Sequence, residues 1–193
     1  MKQATLLAAF IAVVSTGFAN PGKNECHVKI NNDTALIKTL NIHEMLQEII
    51  NATGLQQNFE LKQADVLNIE ATISHRKRYI LYNPAFITTI NELTKNKWAV
   101  MALLAHEVGH HLNGHTIRKG GSTPELELQA DEFAGFILHK LGATLQQSQK
   151  VMYYIAKEKN SRTHPAKDSR LLAIEKGWNN ASALGINDTV SNK

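Results

Sequence analysis

His106-Glu107-Val108-Gly109-His110 forms an H-E-x-x-H pentapeptide inside a strongly apolar stretch. Histidines four apart on a helix are separated by about 40° and one turn, so both imidazoles project from one face. Two convergent imidazoles suit a zinc ion, which takes nitrogen at about 2.0–2.1 Å. Glu107 lies about 100° round from His106, outside the same chelate but near enough to reach a water held on that metal. In a chain with nine histidines the pentapeptide alone is only moderately specific. Its setting adds weight, because three unpaired polar side chains in an apolar helix would each be costly to bury, and one metal satisfies them together.

A catalytic zinc needs a third protein ligand and an open fourth position. The metzincin pattern fails, since Thr116 and Asn113 stand where its histidine and glycine belong. A deformylase-type cysteine ligand fails too, because Cys26 has no such loop around it. A glutamate from the next helix remains, with Glu125, Glu127 and Glu132 competing. Glu127 is favoured because Asp131 follows one turn later on the same face, where a second acid can orient a ligand histidine or a substrate group. Glu125 reads as helix N-terminal acid and Glu132 as a solvated side chain.

The run His106-Glu107-Val108-Gly109-His110, then His115 after four intervening residues, then Glu127-Leu128-Gln129-Ala130-Asp131 and Thr163-His164-Pro165 resembles the HtpX and CAAX-prenyl-protease family, the gluzincin metallopeptidases of family 48. The resemblance spans residues 66–178. It implies one zinc per chain on His106, His110 and Glu127, with Glu107 as general base and Asp131 as supporting acid. It also implies a catalytic part for His164, as oxyanion donor or removable fourth ligand, against a plain capping role before the last helix. The reaction implied is metal-assisted hydrolysis of peptide bonds, with the substrate extended along the edge strand of the sheet. The best-known members are membrane-embedded or carry additional domains, whereas this chain reads as a compact, exported version of the catalytic core. Two other readings stay open: a latent or non-catalytic zinc protein that binds peptides, and a structural zinc domain closed by His164. Glu107 favours the enzyme, since a structural zinc has no need of that carboxylate.

The remaining histidines are expected to stay out of this chemistry. His111 falls about 140° round the helix from His106, and His115 falls on the far side from the ligands. His27, His43, His75 and His139 read as surface or half-buried residues, and Arg170 as a surface salt-bridge partner.

The elements that must position these groups follow from periodicity. Leu40, Ile42, Met45, Leu46, Ile49 and Ile50 predict a helix over 39–54, stopped by Gly54. Residues 65–74 and 78–82 predict a hairpin turned by the basic cluster His75-Arg76-Lys77-Arg78, and a helix follows from Pro84 to about Leu93. The motif helix spans 97–116, and Lys119-Gly120-Gly121-Ser122 forms a link. A helix capped by Thr123, with Pro124 in its first turn, runs to about Leu141. One further helix covers 144–159, a last one begins after His164-Pro165 and ends near Gly177, and 179–193 is a frayed tail. The fold class is α+β, a mostly helical zincin-like domain with one small sheet.

Composition bounds the rest. The chain has 193 residues, with Lys+Arg 21 against Asp+Glu 17, hydrophobic residues at 43% and charged residues at 20%, the range of one folded domain. Residues 1–19 read as a signal peptide: a short basic head, an apolar run over 4–14, and small residues before a cut after Ala19. Residues 20–193 then form the metallopeptidase domain, with net charge falling from +4 to +3 as Lys2 is lost. The small, scattered positive balance gives no footprint for nucleic acid. No later apolar stretch reaches membrane-span length, so the processed protein is expected to be exported, periplasmic or secreted, with polypeptide substrates as partners. One cysteine, Cys26, closes no intramolecular disulfide. The sequons at Asn32, Asn51, Asn180 and Asn187 matter only in a eukaryotic secretory pathway.

Overall fold

The computed structural model describes residues 41–117, 121–183 and 185. The expected signal peptide, Cys26, His27 and the sequons at Asn32 and Asn187 lie outside the described residues. As the periodicity requires, the fold is α+β, mostly helical with one three-stranded sheet. Among the described residues no helix is long and apolar enough to cross a membrane.

Helix α1 (Ile42–Thr53) starts where the Asn41 side chain accepts the Glu44 N–H and ends at Gly54, whose φ of 70° suits glycine. Its buried stripe is Ile42, Met45, Leu46, Ile49 and Ile50. Strands β1 (Glu60–Gln63), β2 (Ile69–Ser74) and β3 (Lys77–Tyr82) form a sheet of order β1-β3-β2. β2 pairs antiparallel with β3, Ala71 facing Ile80, while β1 pairs parallel with it. The hairpin turn is tighter than expected: His75 and Arg76 alone make it, at φ 50° and 64°, and Lys77 and Arg78 already belong to β3. Strand β1 has no sequence signal, because Glu60, Lys62 and Gln63 are exposed and only Leu61 is partly buried.

Helix α2 (Pro84–Thr94) is capped by Asn83, and α3 (Lys97–Leu112) by Asn96. Every residue of α3 from Ala99 to His111 is buried, so it forms the central rod against which α1, α2, β2 and the next two helices pack. It stops at Leu112 rather than Thr116, because Asn113 and Gly114 (φ 70°) turn the chain into a single 3-10 turn over His115–Ile117. Helix α4 (Pro124–Lys140) follows, with Thr123 at its N-cap but making no side-chain capping bond. The helix expected over 144–159 is instead two short ones, α5 (Leu145–Gln149) and α6 (Met152–Ile155). The ladder tightens at Lys150, whose N–H bonds Gln147, and this re-aims Val151 and Met152 into the core.

Helix α7 (Lys167–Ala183) runs six residues past its expected end at Gly177, taking residues 179–183 out of the expected frayed tail. Gly177 is a contact and not a stop. A Cβ there would lie 1.8 Å from the Glu132 carbonyl oxygen, and one on Gly135 would lie 2.0 Å from that of Ile174. The two glycines let α4 and α7 cross almost backbone to backbone. In an exposed helix Gly→Ala gains about 1 kcal/mol. Here Gly177→Ala must force the helices apart, and we expect a loss of about 3 kcal/mol, read as a Tm lower by roughly 6–12 °C. An unchanged or raised Tm would contradict this close crossing.

Candidate metal centre

His106 and His110 leave α3 one turn apart and meet Glu127, which α4 presents from its first turn. All three are buried, and their ligand atoms converge. His106 Nε2 lies 3.0 Å from His110 Nε2, Glu127 Oε2 lies 3.4 Å from His106 Nε2, and Glu127 Oε1 lies 3.5 Å from His110 Nε2. A tetrahedral ion with bonds near 2.05 Å needs ligand atoms about 3.3 Å apart. The three separations are close to that, the two to Glu127 running to different carboxylate oxygens, and one ligand atom from each residue lies within 4.8 Å of the others, so the donor set fits a small divalent cation such as zinc.

Glu107 points from α3 to the neighbouring edge of the sheet. Its Oε2 accepts the Ala71 N–H of β2 at 2.6 Å. Burial pushes its carboxyl up to about 7, with the Glu127 charge adding to the rise and His106 and the Ala71 N–H opposing it.

Behind the ligands lies a second row of groups. Asp131 Oδ1 is 2.8 Å from His106 Nδ1. Arg170 grips Asp131 with both ends of its guanidinium, Nε to Oδ2 and Nη2 to Oδ1, each at 2.7 Å, and its Nη2 is 4.0 Å from Glu127 Oε2. Arg170 is 4% exposed and Asp131 0%, so the expected surface salt bridge is instead a buried bidentate pair beneath the centre. The buried stripe of α7 (Arg170, Ile174, Gly177, Ala181) has helical spacing, and that spacing was a readable sign that Arg170 faces inward. Ser122 donates its hydroxyl to Glu127 Oε1, a contact that no residue spacing announces.

Burial alone would depress His106, but the carboxylates of Asp131 and Glu127 outweigh it and hold the imidazolium up to about 10. Burial would likewise raise both carboxyls, yet His106 and Arg170 hold Glu127 and Asp131 below the usual carboxylate range. His110 is pushed down to about 3 by burial and by the His106 charge. Without metal, therefore, His106 keeps its proton at neutral pH and His110 is neutral. A metal on His106 Nε2 must displace that proton, so zinc uptake is expected to release about one proton per ion and to tighten about tenfold per pH unit. Titration calorimetry in buffers of different ionisation enthalpy measures this, and zero proton release between pH 6 and 8 would refute it.

The other histidines depart from expectation in two cases. His115 does not lie on the far side of the ligands: the turn at Asn113 and Gly114 brings its Nδ1 to 3.0 Å from His110 Nδ1. Extending α3 as a helix to residue 116 is what misplaced it. His139 is 1% exposed and packs edge-on against Trp178 at 4.3 Å, rather than sitting at or near the surface. His111 keeps out of the centre, its Nε2 on the Tyr79 carbonyl at 2.9 Å and its ring stacked on Phe59. His43 and His75 are exposed. Glu125 is exposed, and Glu132 is tied to Lys176.

His164 is half-buried, with its Nδ1 2.8 Å from the Thr163 hydroxyl and its N–H donated to Ser161. Burial lowers its imidazole, and the charges of Glu127, Arg170 and His106 act on it. It is not one of the three converging ligands. No family model matches the chain, and neither a curated protein nor a solved structure is significantly similar to it.

Proposed function

We propose that the chain is a zinc metalloendopeptidase with a zincin-like catalytic domain, exported after loss of residues 1–19, that cleaves unfolded or flexible polypeptide segments. The observation that carries this reading is the buried convergence of His106, His110 and Glu127, one ligand atom from each within 4.8 Å of the others, with Glu107 next to His106 on α3. Two imidazoles and one carboxylate are the ligand set of a catalytic zinc with one open position. When bound, zinc supplies a Lewis acid that acidifies water and polarises a carbonyl.

The chain's own groups do the rest. Glu107, with one oxygen held by the Ala71 N–H, takes a proton from water through the other and passes it to the leaving amine. Asp131 fixes the His106 ring by accepting its Nδ1–H, and Arg170 keeps Asp131 ionised. His164, on which the charges of Glu127, Arg170 and His106 act, is the candidate donor to the developing oxyanion. Strand β2 is an edge strand whose Ala71 main chain lies against Glu107, so an extended peptide adding along that edge would bring a carbonyl to the centre.

One observation favours the latent alternative, a peptide-binding zinc protein: the Glu107–Ala71 bond engages the base with the very strand that would receive substrate. The deciding experiment measures zinc content and cleavage of an unfolded polypeptide by the purified chain and its Glu107→Gln variant. Zinc-dependent cutting supports the peptidase. Zinc uptake with no cutting favours the latent protein, and no uptake rejects both.

A further inference from the structure

We propose that His115 and Gln129 form a positioning relay for the second metal ligand, His110, and so set how tightly the centre holds its ion. The inference rests on the metal-centre reading above. His110 directs Nε2 at His106 and Glu127, so that nitrogen must carry the lone pair offered to a metal. The ring proton then sits on Nδ1 and needs an acceptor, because an imidazole N–H buried without one is costly. The atom 3.0 Å from His110 Nδ1 is His115 Nδ1. His115 can accept there only if its own proton is on Nε2, and His115 Nε2 lies 3.0 Å from Gln129 Oε1, an acceptor. One polarity satisfies the whole row: His110 donates to His115, and His115 donates to Gln129.

Three features build the relay. The turn at Asn113 and Gly114 folds His115 back under α3. His115 is 6% exposed, and its ring meets His110 at 70° with centroids 5.1 Å apart. Gln129 comes from α4, the helix that also supplies Glu127 and Asp131. The two ligand histidines thus have different supports. His106 leans on a carboxylate that Arg170 balances, and His110 leans on the His115 ring and, through it, a carboxamide. Such a relay fixes the tautomer and the ring plane of His110.

The test titrates zinc into the full chain and its variants against a competing chelator, with thermal unfolding of each metal-free protein as the folding control. His115→Phe keeps a ring but removes the acceptor, and its zinc affinity is expected to fall about 10–100-fold. His115→Asn places an oxygen where Nδ1 was and should restore affinity to within about threefold of wild type, since loss of the acceptor, and not of the imidazole, is the defect. Gln129 is exposed, so Gln129→Leu leaves the core intact and carries the test even if His115→Phe fails to fold. Its affinity should drop several-fold. Unchanged affinity in both His115→Phe and Gln129→Leu, or a His115→Asn variant as weak as His115→Phe, overturns the relay while the metal centre stands. A wild-type chain that takes up no zinc overturns the centre and the relay together.

Discussion

Glu107→Gln should bind about one zinc per chain, as the wild type does, and hydrolyse an unfolded polypeptide about 10²–10⁴-fold more slowly. The substitution keeps the shape of the side chain and its carbonyl oxygen, so the Ala71 N–H retains an acceptor and the edge of β2 stays in place. It removes only the capacity to take a proton. The residue is not one of the three converging ligands, so metal affinity should change little. Equal loss of zinc and of cutting would mean that Glu107 holds the ion, and undiminished cutting would mean that another group is the base. Either result removes Glu107 from the role proposed for it.

Arg170→Met is expected to destabilise the metal-free protein by about 3–5 kcal/mol at neutral pH, since it leaves a buried acid pair short of its cation. The methionine fills much of the space, so the loss measures charge more than packing. Asp131, held low in the wild type by Arg170 and His106 against the pull of burial, loses its stronger partner. The sign of the pH dependence follows. A carboxylate whose folded pKa is depressed stabilises the fold above its unfolded pKa, and loses that contribution as pH falls through the folded value. In the variant the buried charge is a burden at neutral pH, and acid removes it by protonating Asp131. The gap between wild type and variant should therefore be widest near pH 7 and narrow toward pH 4. Thermal unfolding across that range reads it, and a gap independent of pH would refute the electrostatic account.

The three converging residues were legible because their geometry is local. His106 and His110 need only helical spacing, and Glu127 declares itself through Asp131 one turn on. What lay beyond was hidden where one residue type has two uses. Gly177 looked like a helix terminator and is a crossing point, so α7 was cut short. Gly114 falls inside the helix expected over 97–116 and is the turn that returns His115 to His110. Arg170 looked like surface charge, although its place on the inward stripe of α7 was readable. Strand β1 was invisible because an edge strand with exposed, polar residues has no apolar alternation to show. The division of 144–159 into α5 and α6 depends on how Val151 and Met152 pack, which no local pattern records.

The grip of Arg170 on Asp131 spans 39 residues of chain, and this sets an order in time. During synthesis the acids of α4 leave the ribosome well before the cation that neutralises them, and domains fold as units once their parts are present. Until α7 docks, burying Glu127 and Asp131 beside α3 is unfavourable, so the ligand triangle stays open although all three of its members are already made. On the proposed reading, a growing chain has no working hydrolytic centre. Competence arrives with the last helix, and a product truncated before Arg170 is disarmed by its own missing charge.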